Sequence, residues 1–240
     1  HLSAPSAFLV SEAKEARMIQ SDKAHVLRNP YTPERPLEAK QPGPRHRIAL
    51  IADSLVERRK GMPLAIEALS RVQERLRGKP FVVEIIGHAD EALISLLSDS
   101  GLEYVLHGKI SVHRQLVDVI ASCDCLLTCS NEDNWPNVLV EAGSYGVVPI
   151  VGPDHGCEEF SRHFGIAHIA TGYTPEAFAH AIGAALRNAD FVDSKEFAGR
   201  VREAHDPQTV AASYASIIGA LVPASNAVSA DEKTALPSVS

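Results

Sequence analysis

From residue 47 onward, apolar runs of strand length alternate with longer amphipathic stretches, and this alternation confines the chain to repeated β-α units on a parallel sheet. The runs at 47–53 (RIALIAD), 81–87 (FVVEIIG), 104–107 (YVLH), 124–129 (DCLLTC), 148–152 (VPIVG) and 166–170 (IAHIA) predict six strands. Helical periodicity predicts connecting helices at 61–77, where Leu64, Ala68, Val72 and Leu76 share a face, and at 91–98, 113–121, 137–145 and 174–188. The expected fold class is α/β, a doubly wound parallel sheet of about six strands, with right-handed crossovers that put helices on both faces.

Two segments lie outside this unit. Residues 1–28 read as a short strand end, a turn at Pro5 and Ser6, and one helix to about Ile19, the tail of a different domain. Residues 29–46 carry five prolines, at 30, 33, 36, 42 and 44, and read as an extended linker. The doubly wound unit then spans 47–206, and a closing helix with Pro207 in its first turn spans 207–222. The Ser-, Ala- and Pro-rich stretch 223–240 is expected to be disordered. The chain opens on His1 rather than Met, which suggests a processed protein or a piece cut from a longer one.

The 240 residues are 45% hydrophobic and 22% charged, the composition of an ordinary folded domain. Lys and Arg number 23 against 30 Asp and Glu, a net charge of −7 with no basic stripe, which argues against nucleic acid as a partner. No apolar stretch approaches the roughly 18 residues of a membrane span, and the first thirty residues lack the regions of a signal peptide. A cytoplasmic location is expected. Cys123, Cys125, Cys129 and Cys157 are too few and too clustered for a disulfide framework and read as reduced. The first three alternate along one apolar run and read as small buried groups rather than metal ligands.

In an open α/β sheet, ligands bind beyond the carboxyl ends of the strands. The loops to inspect are therefore 54–61 (SLVERRKG), 87–90 (GHAD), 108–110 (GKI), 130–137 (SNEDNWPN) and 152–159 (GPDHGCEE). In the fourth, Pro136 fits the first position of a helix, whose free N–H groups at Asn137 and Val138 would seat an anion such as a phosphate. Asp133 precedes that helix and Glu141 lies about one and a half turns inside it, so both carboxylates can flank one ligand and accept hydrogen bonds from sugar hydroxyls. A helix cap is the competing reading for Asp133, and a solvated face for Glu141. Glu141, however, sits in an apolar context that demands a partner. Arg58, Arg59 and Lys60 could offset the charge that builds on a departing diphosphate.

Together these residues resemble the donor-binding, C-terminal domain of family-4 retaining glycosyltransferases of the GT-B fold, a Rossmann-like domain. The resemblance runs over about 5–222 and rests on ARMIQSDKAHVLRNP (16–30), RKGMPLAIEAL (59–69), VEIIGHA (83–89), YVLHGKI (104–110), SNEDNWPNVLVEAGSYGVVPIV (130–151) and HGCEE (155–159), in that order. The family's paired acids map onto Asp133 and Glu141, with Glu132 as an alternative register for the first. Its glycine turn with a following glutamate maps onto Gly156 and Glu159. The chain departs from the pattern at Asp133, where Glu is usual, at Leu55, where an arginine is common, at His155, which replaces a glycine, and after Gly146, where two residues rather than one precede Pro149.

The resemblance implies that Lys60, helped by Arg59, holds the diphosphate of a nucleotide sugar together with the N–H groups of Asn137 and Val138. Glu141 would take the ribose hydroxyls, the backbone at Gly108, Lys109 and Ile110 would face the base, and Asp133 and Glu159 would orient the sugar. The implied reaction is hexosyl transfer to a glycan or lipid-linked acceptor with retention, the leaving phosphate deprotonating the acceptor hydroxyl. No cofactor or metal is implied. An N-terminal acceptor domain would be missing, the chain alone would be weakly active or inactive, and polysaccharide synthesis at the inner face of the membrane would be the setting. A non-catalytic nucleotide-sugar-binding module and a sugar-nucleotide epimerase of related fold are the alternatives. A dinucleotide oxidoreductase is disfavoured, because no G-x-G-x-x-G follows the first strand. His88 and His107 lie at strand ends, but with eleven histidines some fall there by chance. Trp135 could stack on a sugar or base, or pack beneath its loop.

Overall fold

The computed structural model describes residues 1–20, 23–38, 43–75, 81–153, 155–166, 168–188 and 193–221. The tail expected at 223–240 and the Leu76 position lie outside them.

The main sheet has five parallel strands, β3 (His46–Ser54), β4 (Phe81–His88), β5 (Tyr104–Gly108), β6 (Cys125–Thr128) and β7 (Val148–Val151), in the order β5-β4-β3-β6-β7. The chain winds outward from β3 through β4 to β5, then crosses to the other side of β3 for β6 and β7. The order therefore reverses between β3 and β6, which is where a doubly wound sheet opens a crevice. The sixth expected strand, 166–170, is reduced to one parallel bridge between Val151 and Ile169 among the described residues. Pro149 lies in β7 opposite Leu126, and β7 ends the sheet, so its missing N–H takes nothing from a central ladder.

Between the strands run α2 (Met62–Arg75), α3 (Glu91–Asp99), α4 (His113–Ala121) and α5 (Asn137–Gly143). Helices α6 (His155–His163), α7 (Pro175–Asn188), α8 (Ser194–His205) and α9 (Pro207–Leu221) follow β7. The buried stripe of α2, Ala65, Ala68, Leu69 and Val72, joins Ile48, Leu50, Ile85 and Leu126 of the sheet in one core. The predicted helices appear within a few residues of their expected ends; α6 and α8 were not expected. Cys123, Cys125 and Cys129 are buried in that core, as their alternation on an apolar run suggested.

The first 28 residues form β1 (Leu2–Ala4), α1 (Ala7–Glu15) and β2 (Ala24–Val26), with β1 and β2 paired in parallel. Ser6 caps α1 by accepting from the Leu9 N–H. This segment is docked on the sheet domain, with α1 against α6 and the Phe8 ring edge-on to His155 at 4.9 Å. Residues 29–38 have no helix or strand, but Arg202 of α8 fixes them by donating to the backbone oxygens of Ser144 and Arg35.

Candidate functional site

The carboxyl ends of β3, β4 and β5 and the loop after β6 enclose a cleft of about 400 Å³. Its walls bring together Ile51, Ala52 and Asp53 from β3, Ile86 and Gly87 from β4, and Lys109 and Ile110 after β5. Asp133, Pro136, Asn137, Val138 and Glu141 supply the opposite side, and Glu57, Arg59 and Lys60 one end. Of the predicted residues, eight line it: Arg59, Lys60, Lys109, Ile110, Asp133, Asn137, Val138 and Glu141. Gly108 ends β5 one residue short of the lining.

Local geometry explains how the basic residues arrive there. Arg58–Lys60 form a single 3₁₀ turn after β3, closed by Gly61 at φ 64°. A Cβ on Gly61 would lie 2.5 Å from the Cys129 carbonyl oxygen, so this turn packs backbone to backbone against the end of β6. The Asn131 N–H donates to the Arg59 carbonyl oxygen across the same seam. Lys60 Nζ consequently reaches Asp133 Oδ2 at 2.9 Å, with Arg59 3.8 Å from the other carboxylate oxygen and 2.8 Å from Glu57. Three donor protons on the ammonium allow Lys60 to keep Asp133 and still donate to an incoming anion. Arg58 is exposed and outside the cleft, and Leu55 is buried in the core, so the charge sits on Arg59 and Lys60. At the other end, the exposed Lys109–Asp53 pair closes at 2.6 Å and holds Asp53 below the usual carboxylate range.

Glu141 is half-buried, and desolvation pushes its carboxyl above the usual range, opposed by the charge of His113. Pro136 stands at the N-cap of α5 rather than in its first turn, with φ −65° and ψ 124°, and Asn137 is the first helical residue. The leading N–H groups of any helix lack intrahelical acceptors, and the two residues that carry them here, Asn137 and Val138, line the cleft.

Gly156 and Glu159 lie elsewhere. A Cβ on Gly156 would overlap the Asn134 carbonyl oxygen at 1.7 Å, and the Gly156 N–H donates to the Asp133 oxygen at 2.9 Å; this glycine shapes the loop without lining the cleft. His155 beside it has φ 60°, a left-handed conformation that a glycine adopts at no steric cost. The Glu159 carboxylate is turned to the N-terminal segment, where it accepts from the N–H groups of Ala7 and Phe8 and pairs with Arg28 at 3.2 Å. Trp135 packs beneath its loop, 4% exposed: its Nε1–H donates to His205 Nε2 at 3.0 Å, and the Arg28 guanidinium lies over the ring. The indole can only donate, so His205 carries its proton on Nδ1 and donates it to the Val201 oxygen. His107 pairs with the buried Glu84 at 2.6 Å, a structural contact within the sheet. Burial pushes the Cys129 and Cys157 thiols up, leaving them protonated and poor nucleophiles. Among the described residues, no group of three or more His, Cys, Asp and Glu side chains could hold a metal ion.

Sequence reasoning missed Asp53 and Glu57, the acids that pair with Lys109 and Arg59, and the apolar floor of Ile51, Ile86 and Leu116. Asp53 and Glu57 sit just at or after the end of a strand, where the crevice rule could have found them.

A parallel sheet whose crevice opens at its switch point, lined by a lysine-arginine turn and a helix start, defines a Rossmann-like α/β domain. The chain belongs to the family Glycosyl transferases group 1, whose model matches residues 38–203. No curated protein sequence matched it. Similar solved structures include a glycosyltransferase from Rickettsia africae (TM-score 0.71, 15% identity) over 91% of this chain and 62% of that one. WaaG, a glycosyltransferase involved in lipopolysaccharide biosynthesis, matches at 0.68 and 16% identity over 91% and 61%. Anabaena HepE, solved in complex with UDP and glucose, matches at 0.65 and 17% identity over 91% and 62%. At these identities the likeness is one of fold, the GT-B type, and the chain spans about three-fifths of the length of these proteins. No described helix is long and apolar enough to cross a membrane.

Proposed function

We propose that the chain carries the donor site of a retaining, family-4-type hexosyltransferase that uses a nucleotide diphosphate sugar and a glycan or lipid-linked acceptor. The observation that carries this reading is the joint presence in one crevice of Lys60, Arg59, Asp133, Asn137, Val138 and Glu141. Lys60 and Arg59 would neutralise the diphosphate as the glycosidic bond breaks and charge develops on the leaving phosphate. Backbone N–H groups at Asn137 and Val138 would donate to the same oxygens. Glu141 would accept from both ribose hydroxyls, as a carboxylate can with its two oxygens. The apolar floor formed by Ile51, Ile86 and Leu116 would receive the base beside the Gly108–Ile110 backbone. Asp133 would orient the sugar, and Glu159 would join it only after releasing its present partners. The leaving phosphate oxygen would take the proton of the acceptor hydroxyl on the face from which it departs, so configuration is retained. No metal is proposed, because the cationic role falls to Lys60 and Arg59. The site of action proposed is the cytoplasmic face of a membrane, in polysaccharide synthesis, with peripheral attachment.

The test is proton NMR of this chain with UDP-, GDP- and ADP-hexoses, following the anomer first released to water or to an added glycan. From this chain, slow turnover with retention, abolished by Glu141→Ala and Lys60→Ala, is expected. Inversion would contradict the mechanism, and saturable donor binding without any release would favour a binding module.

A further inference from the structure

The junction between β2 and the residues that follow it touches the cleft wall at two adjacent points. Arg28 lays its guanidinium 3.5 Å from the centre of the Trp135 ring. Asn29, next in sequence, donates from Nδ2 to Asn137 Oδ1 at 3.1 Å. Trp135 itself faces the core, but Asp133 on one side of it and Pro136 and Asn137 on the other all line the cleft. The seat of this indole therefore sets where that stretch of wall stands. Four groups pack on the seat: Phe160, whose ring is 5.2 Å away and tilted, His163 edge-on at 6.3 Å, His205 at the indole N–H, and Arg28 on the ring face. The first three belong to α6 and α8, within the sheet domain. Only Arg28 comes from the N-terminal segment.

Arg28 is also committed elsewhere. Its guanidinium donates to Glu159 Oε1 from both terminal nitrogens and to the Pro5 carbonyl oxygen, and its side chain is 17% exposed. Glu159 in turn holds the first N–H groups of α1. One guanidinium thus ties together the turn before α1, α6 and the loop before α5. Any displacement of residues 1–28 against the sheet must pull on Trp135 as well.

We propose that Arg28, with Asn29, is a positioning residue for the nucleotide cleft: it clamps Trp135 and so sets the wall formed by Asp133, Pro136 and Asn137. Through it, the docking of the N-terminal segment and the affinity of the cleft for a nucleoside diphosphate are coupled. This inference rests on the functional reading above. Planarity matters, because an ammonium in the same place keeps the pairing with Glu159 but loses the stacked face.

Trp135 is the one tryptophan of the chain, so its fluorescence reads the clamp directly. The experiment titrates wild type, Arg28→Lys, Arg28→Met, Asn29→Ala and Trp135→Phe with UDP, GDP and ADP by calorimetry. Thermal unfolding is recorded alongside, as is acrylamide quenching for the variants that keep Trp135. Arg28→Met should raise the Kd of the best nucleotide about 2- to 30-fold, the span of a cation–π contact at exposed to desolvated sites, and should make Trp135 more quenchable. Arg28→Lys should fall between it and wild type. In a Trp135→Phe background the effect of Arg28→Met should shrink, which general destabilisation would not produce. If Arg28→Met only lowers Tm, with Kd and quenching unchanged in the folded protein, the inference is overturned while the functional reading stands. If wild type binds none of the three nucleotides, both fall.

Discussion

Glu141, the carboxylate proposed to take the ribose hydroxyls, works against the stability of its own fold. Burial raises its pKa, so the ionised form fits the folded state less well than the unfolded one. Its folded pKa lies above the unfolded value, so stability is fullest below the unfolded pKa and declines as pH rises through the folded one. Glu141→Gln should therefore raise Tm at neutral pH, and the gain should vanish below about pH 4, where both states are protonated. The same substitution should weaken nucleotide binding about tenfold, because an amide offers one acceptor oxygen in place of a charged pair. Thermal scans at the two pH values, with a titration at neutral pH, check both halves. Gly156 gives a steric counterpart: any side chain there collides with the Asn134 backbone. Gly156→Ala should destabilise by about 1–3 kcal/mol and displace the Asp133 loop, read as a lower Tm together with weaker nucleotide binding.

The elements were unequally legible. The strands β3 to β7 are short apolar runs between polar loops, and their hydrophobicity alone sufficed. Residues 166–170 have the same composition, yet among the described residues only one bridge forms there, because pairing depends on a neighbour that no local pattern reveals. Helix α6 was hidden because only Cys157 and Phe160 of its nine residues are buried apolar side chains, and HGCEE reads equally well as a ligand loop. Helix α8 had a signal that was passed over: Asp193 caps the N–H groups of Lys195 and Glu196 and stands three residues before that glutamate. Its core stripe ends in a histidine, His205, whose place is explained only by the distant Trp135. Burial holds His163, His168 and His205 below the ordinary histidine range. A depressed histidine pKa means the stability they allow is present above the unfolded value of 6.5 and is lost as pH falls through the folded ones. Denaturant midpoints should drop progressively below pH 6.5, and His205→Asn should lose much of that slope.

At the scale of the molecule, the site is an assembly of strand ends. Eight of eleven predicted residues meet in one cleft because a parallel sheet delivers every β-to-α loop to the same edge, whatever the distance in sequence. Of the other three, Gly108 ends β5 beside the lining, and Gly156 and Glu159 are on α6, where the docking of the first 28 residues decides what the Glu159 carboxylate meets. That docking is a contact between segments, invisible to periodicity and spacing. The central claim is that the crevice between β3 and β6 binds a nucleoside diphosphate through Lys60 and Glu141. Calorimetric titration of the wild-type chain with UDP, GDP and ADP tests it most directly, repeated on Lys60→Ala and Glu141→Ala variants shown to be folded. The expected result is one-to-one binding of at least one nucleotide, weakened about tenfold or more in each variant. Absence of heat with all three, or binding that both variants retain at the wild-type Kd, would contradict it.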